Sequence, residues 1–349
     1  MSFIFVAAIS FTSGLSLGKA TYPRFISNTP TPAPTPLAQY SIDNLSQAKF
    51  DTGQIKLGEA EKNASDIFTT HTFSFKFNPT PTEKDTKTTT GQINLPIKEG
   101  KYPIIIMLRG FVPDDTYFTG LGTRNAAKFF AENGYITIAP DFLGYAGSDS
   151  EAGNIFETRF QTYTTVLNLI NTIKNGGLPA DLSAEALAKE EASRVGWDNQ
   201  NQFIWAHSNG GQVALTVLAI TKAEIPTALW APVTKPFPYS VLYYTDEAED
   251  GGKFLRSELA KFESIYDASK FSFTNYLENI KAPLQFHQGT GDDAIPIEWT
   301  EDLVTLLKKQ GLEVEYQKHA GADHNMAGSW DEAMKQDLDF FINHTALLN

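Results

Sequence analysis

The residues best placed to do chemistry lie at positions 203–215, where a serine stands among small residues. The pattern predicts a strand that ends near Ser208 and a helix that follows it. A serine hydroxyl becomes a nucleophile only where a base can reach it and backbone amides can face the developing oxyanion. Ala206 and Gly210 would permit the sharp, exposed turn that this requires. A serine that merely caps the helix is the alternative interpretation.

Two adjacent carboxylates lie in a turn directly after the predicted strand that ends at Gln288. The carboxyl ends of parallel strands meet at one edge of a sheet, so either carboxylate could reach the region of Ser208. We predict that Asp292 is the catalytic acid, because the second carboxylate, Asp293, more often caps the turn that follows. An ordinary aspartate-rich turn is the alternative.

The expected general base is His324, which follows the final predicted strand. Serine, acid and histidine then occur along the chain in the order that a serine on a strand-to-helix turn requires. His319 lies nearer the end of that strand and is predicted to be structural. His207 is expected to pack on the other side of the turn that carries Ser208.

The loops that carry the acid and the histidine also contain side chains that can ligate metals. These side chains are Asp292, Asp293, Asp323 and His324. Carboxylates and imidazole suit several divalent ions. The ordered serine, acid and histidine explain these residues better than a metal site does, so we predict a reaction that uses no metal and no other cofactor.

Two backbone amides must face the oxyanion that forms when a serine attacks a carbonyl group. The residue after the nucleophile, Asn209, would supply the first amide. The second would come from the loop after the apolar run at 104–108, where Gly110 permits a turn. We therefore assign the second amide to Phe111.

Hydrophobic patterns predict alternating strands and helices around these residues. Strands are predicted at 104–108, 135–139, 203–207, 228–233, 284–288 and 312–317, and helices at 124–133, 155–174, 181–194, after Ser208, at 298–310 and at 330–343. An antiparallel hairpin over 66–78 and 86–96 is expected at a sheet edge. The alternation implies right-handed crossovers and a mostly parallel central sheet flanked by helices.

The alternation stops at residues 234–281, which we expect to form a small lid insertion over the serine turn. Its aromatic side chains would form either a satellite core or the wall of a substrate pocket. We predict substrate contact for Tyr239, Tyr243 and Tyr244. An acidic run at 246–250 would disfavour anionic substrates.

The composition excludes several classes of partner. The 349-residue chain has 28 basic and 41 acidic residues and a formal charge of −13, which disfavours nucleic acid and anionic membrane surfaces. It has no cysteine, so it forms no disulfide and uses no thiolate nucleophile. The sequence gives no indication of oligomeric state.

The N-terminal region resembles a leader followed by a spacer. Residues 2–17 are apolar enough for the core of a signal peptide or a short membrane anchor, although Lys19 and Arg24 follow this stretch rather than precede it. Prolines and threonines at 29–36 predict an extended spacer. We therefore expect a secreted or membrane-anchored protein that faces outside the cytoplasm, with residues 1–38 as leader and linker and 39–349 as the catalytic domain.

Several motifs together resemble the catalytic domain of the prolyl oligopeptidase family of serine peptidases and the similar dienelactone-hydrolase-like esterases. The resemblance extends from about Phe73 to the C-terminus. Its motifs lie at 109–111, 139–148, 206–211, 287–293 and 323–324. It implies the α/β-hydrolase fold, with Ser208 as nucleophile, Asp292 as acid and His324 as base.

The sequence also departs from this family pattern. Ala206 stands where glycine is usual, and Arg109 stands where many members have histidine. The N-terminal region is too short for the β-propeller that filters peptides in the large oligopeptidases, which argues against peptidase activity.

The sequence as a whole predicts a serine hydrolase that cleaves small-molecule esters or peptides through an acyl-enzyme intermediate. Carboxylic-ester hydrolysis is slightly preferred, and small neutral esters are expected to be cleaved better than prolyl amides. A serine-type peptidase is the alternative. A non-catalytic binding module on the same fold is a further alternative.

Overall fold

A central sheet organises the part of the chain that this computed structural model describes, namely residues 35–61, 65–82, 85–178, 195–245 and 248–346. The nine strands found there are β1 (Gln54–Ala60), β2 (Phe68–Phe77), β3 (Lys87–Pro96), β4 (Gly100–Leu108), β5 (Ile136–Pro140), β6 (Val195–His207), β7 (Thr227–Trp230), β8 (Leu284–Gly289) and β9 (Val314–His319). Their order is β1-β2-β3-β5-β4-β6-β7-β8-β9. The pairs from β5 to β9 are all parallel, which confirms the predicted mostly parallel sheet.

Helices cover both faces of the sheet. They are α1 (Ile42–Gln47), α2 (Arg124–Glu132), α3 (Ile155–Lys174), α4 (Asn209–Thr221), α5 (Tyr239–Leu242), α6 (Lys253–Glu263), α7 (Ile297–Lys309) and α8 (Trp330–Asn343). Side chains of α3, α4 and α7 join one buried cluster, and those of α2 and α8 join another. In β4, Ile104 and Ile106 face the first cluster while Ile105 and Met107 face the second. This alternation is the period of 2 expected of a strand buried on both faces.

The predicted hairpin exists, but its predicted place at the sheet edge is wrong. β2 and β3 pair antiparallel, β3 continues into the sheet through β5, and β1 covers the outer side of β2. The sequence pattern of β1 is weak because Ile55 is its one buried residue. An edge strand needs few apolar residues, since only one of its sides is paired.

The insertion at 234–281 contributes phenylalanine side chains to the main core, whereas its Tyr244 packs against a separate small cluster that includes Trp299. Phe262 packs on Phe156 of α3 with ring centroids 5.0 Å apart, and Phe271 stacks on Phe160 at 4.9 Å. These rings bury large apolar surfaces, so they fix α6 and the following turns against α3. A lid function for this insertion stays a prediction.

Several predictions concern residues outside the described ranges. These are the leader and most of the spacer at 1–34, the helix at 181–194, and Asp246 and Glu247 of the acidic run. In the described ranges, Leu37 and Tyr40 are buried, so the packed domain includes residues on both sides of the predicted boundary at 39. None of the helices described is both long and apolar enough to cross a membrane.

Candidate active site

Ser208 lies on the turn between β6 and α4, in a backbone conformation that non-glycine residues rarely adopt. Its φ is 54° and its ψ is −120°. Backbone hydrogen bonds hold it there: the Ser208 amide donates to the Trp230 carbonyl (2.9 Å), and the Ser208 carbonyl accepts from the Val233 amide (3.0 Å). Such strain costs on the order of 1–3 kcal/mol and persists where surrounding structure enforces it, which is typical of functional sites.

The small residues Gly210 and Ala206, on either side of Ser208, lie in different surroundings. A Cβ on Gly210 would lie 2.3 Å from the Leu108 carbonyl oxygen at the end of β4, so α4 can begin at this point only with glycine there. Ala206 is fully buried in β6. The core therefore accommodates a methyl group at the position where related sequences usually have glycine.

Asp292 and His324 are hydrogen-bonded to each other. The Nδ1 atom of His324 lies 3.0 Å from Oδ2 and 3.1 Å from Oδ1 of Asp292. The Asp292 side chain is fully buried, whereas Asp293 is exposed. Asp292 is thus the carboxylate of this turn that contacts the histidine.

The turn after β8 holds the Asp292 carboxylate in its charged form. The amides of Ala294 and Ile295 donate to Oδ1 (both 2.9 Å), and Nε2 of Gln288 donates to Oδ2 (2.8 Å). Burial alone would raise the pKa of Asp292, but the hydrogen bonds from His324 and from these amides outweigh it and lower that pKa. An ionised carboxylate can then orient His324 and stabilise its protonated form.

His207 contacts the histidine loop directly, which the sequence did not predict. Its Nε2 atom lies 2.9 Å from the His324 carbonyl oxygen, and the two rings are 4.7 Å apart between centroids. Because the partner is a carbonyl, Nε2 carries the proton and donates. Burial and the neighbouring His324 lower the pKa of His207 to about 4, so this side chain is neutral at pH 7. It connects the residue before Ser208 to the loop of His324.

The loop that carries His324 is also closed by its own side chains. Oδ1 of Asp323 accepts from the amides of Asn325 and Ala327, both at 2.9 Å. The Asp323 carboxylate is therefore bonded to the backbone of its own loop. Within the described ranges, no three His, Cys, Asp or Glu side chains are arranged to hold a metal ion.

The loop after β4 runs beside Ser208, where the sequence predicted the second oxyanion amide. A Cβ on Gly110 would lie 2.9 Å from Ser208 Cβ and 3.5 Å from Ser208 Oγ. The absence of a side chain at Gly110 therefore lets this backbone approach the serine. The Phe111 side chain is 74% exposed, so its backbone rather than its ring is the part held at this position. The assignment of the Phe111 and Asn209 amides to an oxyanion hole stays a prediction.

A cavity of about 260 Å³ adjoins this loop. Its wall includes Gly110, Phe111 and Asn209, and its apolar part comes from Phe142, Leu143, Tyr145, Ile155 and Val213. Arg109 and Arg159 also line it. The cavity lies against Asn209, the residue that follows Ser208, and its volume is sufficient for a small acyl group.

The tyrosines predicted to bind substrate lie elsewhere. Tyr239 and Tyr243 pack against Trp299, with ring centroids 5.9 and 4.6 Å away, and Tyr244 donates to the Ala294 carbonyl (3.2 Å). None of the three lines the cavity beside Asn209. Substrate contact by these tyrosines stays a prediction.

Comparison with known proteins shows which family the C-terminal half of the chain resembles. The model of the prolyl oligopeptidase family matches residues 183–347, a segment that contains Ser208, Asp292 and His324. This segment is somewhat less than half of the chain and is similar to the catalytic domain of that family. The described part of the chain has the α/β-hydrolase fold. The chain is a hydrolase, and its fold is shared with both esterases and peptidases of known structure. No curated protein sequence matches it significantly.

Three solved structures illustrate this fold. Acetyl xylan esterase 1 from Thermoanaerobacterium sp. JW/SL YS485 is 14% identical with a TM-score of 0.57, and the match covers 88% of this hydrolase and 95% of that chain. An acetyl xylan esterase from Paenibacillus sp. R4 is 16% identical with a TM-score of 0.56, covering 89% and 96%. A puromycin-hydrolysing peptidase from Mycobacterium tuberculosis is 13% identical with a TM-score of 0.52, covering 86% of this hydrolase but 40% of that chain.

Proposed function

We propose that this hydrolase is a serine carboxylic-ester hydrolase, with Ser208 as nucleophile, His324 as general base and Asp292 as the acid that orients the base. The observation that carries the proposal is the buried Asp292 carboxylate bonded to His324 Nδ1, together with a serine on a strained strand-to-helix turn. The contact between His207 and the His324 carbonyl supports it, because it brings the histidine loop beside the serine turn.

In the first half of the reaction, Ser208 Oγ attacks the ester carbonyl carbon while its proton moves to Nε2 of His324. The carbonyl oxygen becomes an oxyanion, which the amides of Asn209 and Phe111 stabilise. The tetrahedral intermediate then collapses: the carbon–oxygen bond to the leaving alcohol breaks, and His324 returns the proton to that oxygen. The products of this half are the alcohol and an ester of Ser208.

Water completes the second half. His324 removes a proton from a water molecule, whose oxygen attacks the acyl carbon and gives a second oxyanion at the same two amides. The bond to Ser208 Oγ breaks, and His324 protonates that oxygen. The carboxylic acid leaves, and the chain returns to its starting state without any external cofactor.

Two features support esters over amides. The cavity of about 260 Å³ beside Gly110 and Asn209 fits a small acyl group. The structurally similar acetyl xylan esterases from Thermoanaerobacterium and Paenibacillus are, by their names, esterases of small acyl groups. An alkoxide is also a better leaving group than the anion of an amine, so cleavage of an ester depends less on protonation of the leaving group than cleavage of an amide does.

A serine peptidase is the second candidate, and the family match over residues 183–347 favours it. The two candidates use the same three residues and differ in the leaving group and its pocket. Comparison of kcat/KM for p-nitrophenyl acyl esters and prolyl p-nitroanilides on one preparation distinguishes them. We expect the short neutral esters to be cleaved much faster, and amide cleavage that approaches ester cleavage would replace the esterase by the peptidase.

Hydrolysis of p-nitrophenyl acetate by Ser208→Ala tests the proposal itself. We expect loss of turnover with an almost unchanged thermal unfolding midpoint. A folded wild-type chain that cleaves neither series would favour the binding module. Turnover retained by a pure Ser208→Ala preparation would remove the proposed mechanism.

A further inference from the structure

Arg109 is a buried cation directly beside the proposed oxyanion loop. It is 6% exposed, and within the described ranges it forms no ion pair with a carboxylate. A buried charge is costly unless other groups solvate it. Here the guanidinium lies between two aromatic rings, 4.4 Å from the Tyr117 centroid and 4.0 Å from the Tyr145 centroid. These rings supply cation–π attraction to a guanidinium that has no carboxylate of the described residues within ion-pair distance.

The guanidinium donates to two backbone carbonyls. Nη1 donates to Gly110 O (2.9 Å), and Nη2 donates to Asp141 O at the end of β5 (3.0 Å). A planar group that holds two acceptors at once fixes both in direction, which a single ammonium cannot do. Arg109 therefore ties the loop after β4 to the end of β5.

The bond to Gly110 O also sets the direction of the next amide. The Gly110–Phe111 peptide is trans, so the Phe111 N–H points opposite to the Gly110 carbonyl. We propose that Arg109 is a positioning residue that holds the Phe111 amide in the orientation needed to stabilise the oxyanion. The proposal rests on the proposed function, since it concerns the same oxyanion hole.

The groups around Arg109 are themselves held in place. The Tyr145 hydroxyl donates to the Val112 carbonyl (3.0 Å), two residues along the same loop. The Tyr117 hydroxyl donates to Asp141 Oδ1 (2.7 Å). The two rings that enclose the guanidinium are thereby anchored to the two segments that it joins. This arrangement requires the burial of a positive charge, and it fixes the Gly110–Phe111 peptide group beside Ser208.

The test separates orientation of the amide from general stability. Arg109→Met removes both donors, Arg109→Lys retains charge without the fork, and Arg124→Met is a matched control, because Arg124 is a half-exposed arginine bonded to Glu61. Loss of a whole oxyanion-hole donor costs about 10²–10³ in kcat, so we expect about 10- to 100-fold loss in Arg109→Met with KM nearly unchanged. Arg109→Lys should recover part of that loss, and Arg124→Met should match wild type.

Binding of a boronic acid supplies the readout that a purely structural role would not change. A tetrahedral boronate places an oxygen where the oxyanion forms, so its inhibition constant should weaken in Arg109→Met in parallel with kcat/KM. Binding of the alcohol product, which places no oxygen at the oxyanion position, should stay unchanged. Equal weakening of both ligands, or wild-type kcat in a folded Arg109→Met, would overturn the proposal.

Two further measurements keep the proposal testable in other circumstances. If Arg109→Met does not fold, Arg109→Lys and Tyr145→Phe carry the test, and a kcat and a boronate affinity equal to wild type in both would overturn it. Loss of activity in Ser208→Ala together with wild-type activity in Arg109→Met would reject the role of Arg109 while leaving the proposed function in place. Activity retained by Ser208→Ala would reject both.

Discussion

His207 and His324 are joined side chain to main chain: the Nε2 atom of His207 lies 2.9 Å from the His324 carbonyl oxygen. His207 precedes Ser208, so this bond links the proposed nucleophile turn to the loop of the proposed base. The rest of that loop is held by Asp323 and by the bond from His324 to Asp292. The position of His324 relative to Ser208 therefore depends on a residue that takes no part in the proton transfers.

Replacement of His207 should lower activity through this link. We expect His207→Leu to reduce kcat/KM about 10- to 100-fold, because small misplacement of a reacting group is costly. His207→Gln, whose amide can donate from a similar position, should recover much of the loss. Steady-state kinetics on short p-nitrophenyl esters checks this, and equal activity in the Leu and Gln variants would show that the bond is unimportant.

The lowered pKa of His207 also predicts that the free energy of unfolding depends on pH. Its folded pKa of about 4 lies below the ordinary 6.5, so between these values the unfolded chain binds more protons and acid favours unfolding. The contribution is complete above pH 6.5 and is lost as the pH falls towards 4, with an upper limit of about 3 kcal/mol at 1.4 kcal/mol per unit. Urea unfolding of wild type and His207→Gln from pH 7 to 4.5 measures it. A stability difference that does not change with pH would contradict the prediction.

Asp292 and Asp293 provide a matched pair of substitutions. In Asp292→Asn, one carboxylate oxygen is replaced by an NH2 group, which cannot accept from the donors that surround Asp292. The neutral asparagine also no longer stabilises the protonated form of His324. We expect about 10³- to 10⁴-fold loss of kcat in Asp292→Asn, as when the acid of a serine triad is replaced. Asp293→Asn should remain near wild type because this side chain is exposed. A larger loss in Asp293→Asn would reverse the assignment.

A buried aspartate on α8 contacts polar side-chain atoms of three neighbouring strands, β6, β7 and β8. Asp337 is fully buried, and its Oδ2 atom accepts from the indoles of Trp205 (3.0 Å) and Trp230 (2.8 Å), while His287 Nε2 lies 3.0 Å from Oδ1. Asp337→Ala would leave the two indole N–H groups unpaired, so we expect the free energy of unfolding to fall by about 2–6 kcal/mol, at about 1–3 kcal/mol per buried donor. Asp337→Asn, which retains an acceptor for the indoles, should cost less. A urea midpoint in Asp337→Ala equal to wild type would contradict this role.

Much of the fold could be predicted because buried parallel strands and long helices have strong apolar patterns. α3 and α8 have the predicted bounds, and β4, β5, β8 and β9 differ from prediction by a few residues. β1 has too few apolar residues to be noticed. β6 begins earlier than predicted, at Val195, because a polar run at 198–202, which includes Asn199 with a φ of 62°, interrupts its apolar pattern.

The candidate site likewise has residues that the sequence pattern could predict and contacts that it could not. Chain order and turn chemistry predicted Ser208, Asp292 and His324 as the reacting residues, because each follows a predicted strand. The structure brings Asp292 and His324 together, and their roles stay a prediction. Contacts between distant residues leave no such pattern in one sequence. The bond from His207 to the His324 carbonyl, the carbonyls held by Arg109 and the packing of Tyr243 on Trp299 are all contacts of this kind.

Covalent labelling by a fluorophosphonate tests the central claim most directly, since it reports an activated serine without any choice of substrate. Intact-protein mass spectrometry of the treated wild-type chain should show one adduct per chain, and peptide mapping should place it on Ser208. Ser208→Ala should remain unlabelled, and Asp292→Asn should be labelled far more slowly. An adduct on another residue, or a folded wild-type chain that is not labelled, would contradict the assignment of Ser208 as the nucleophile.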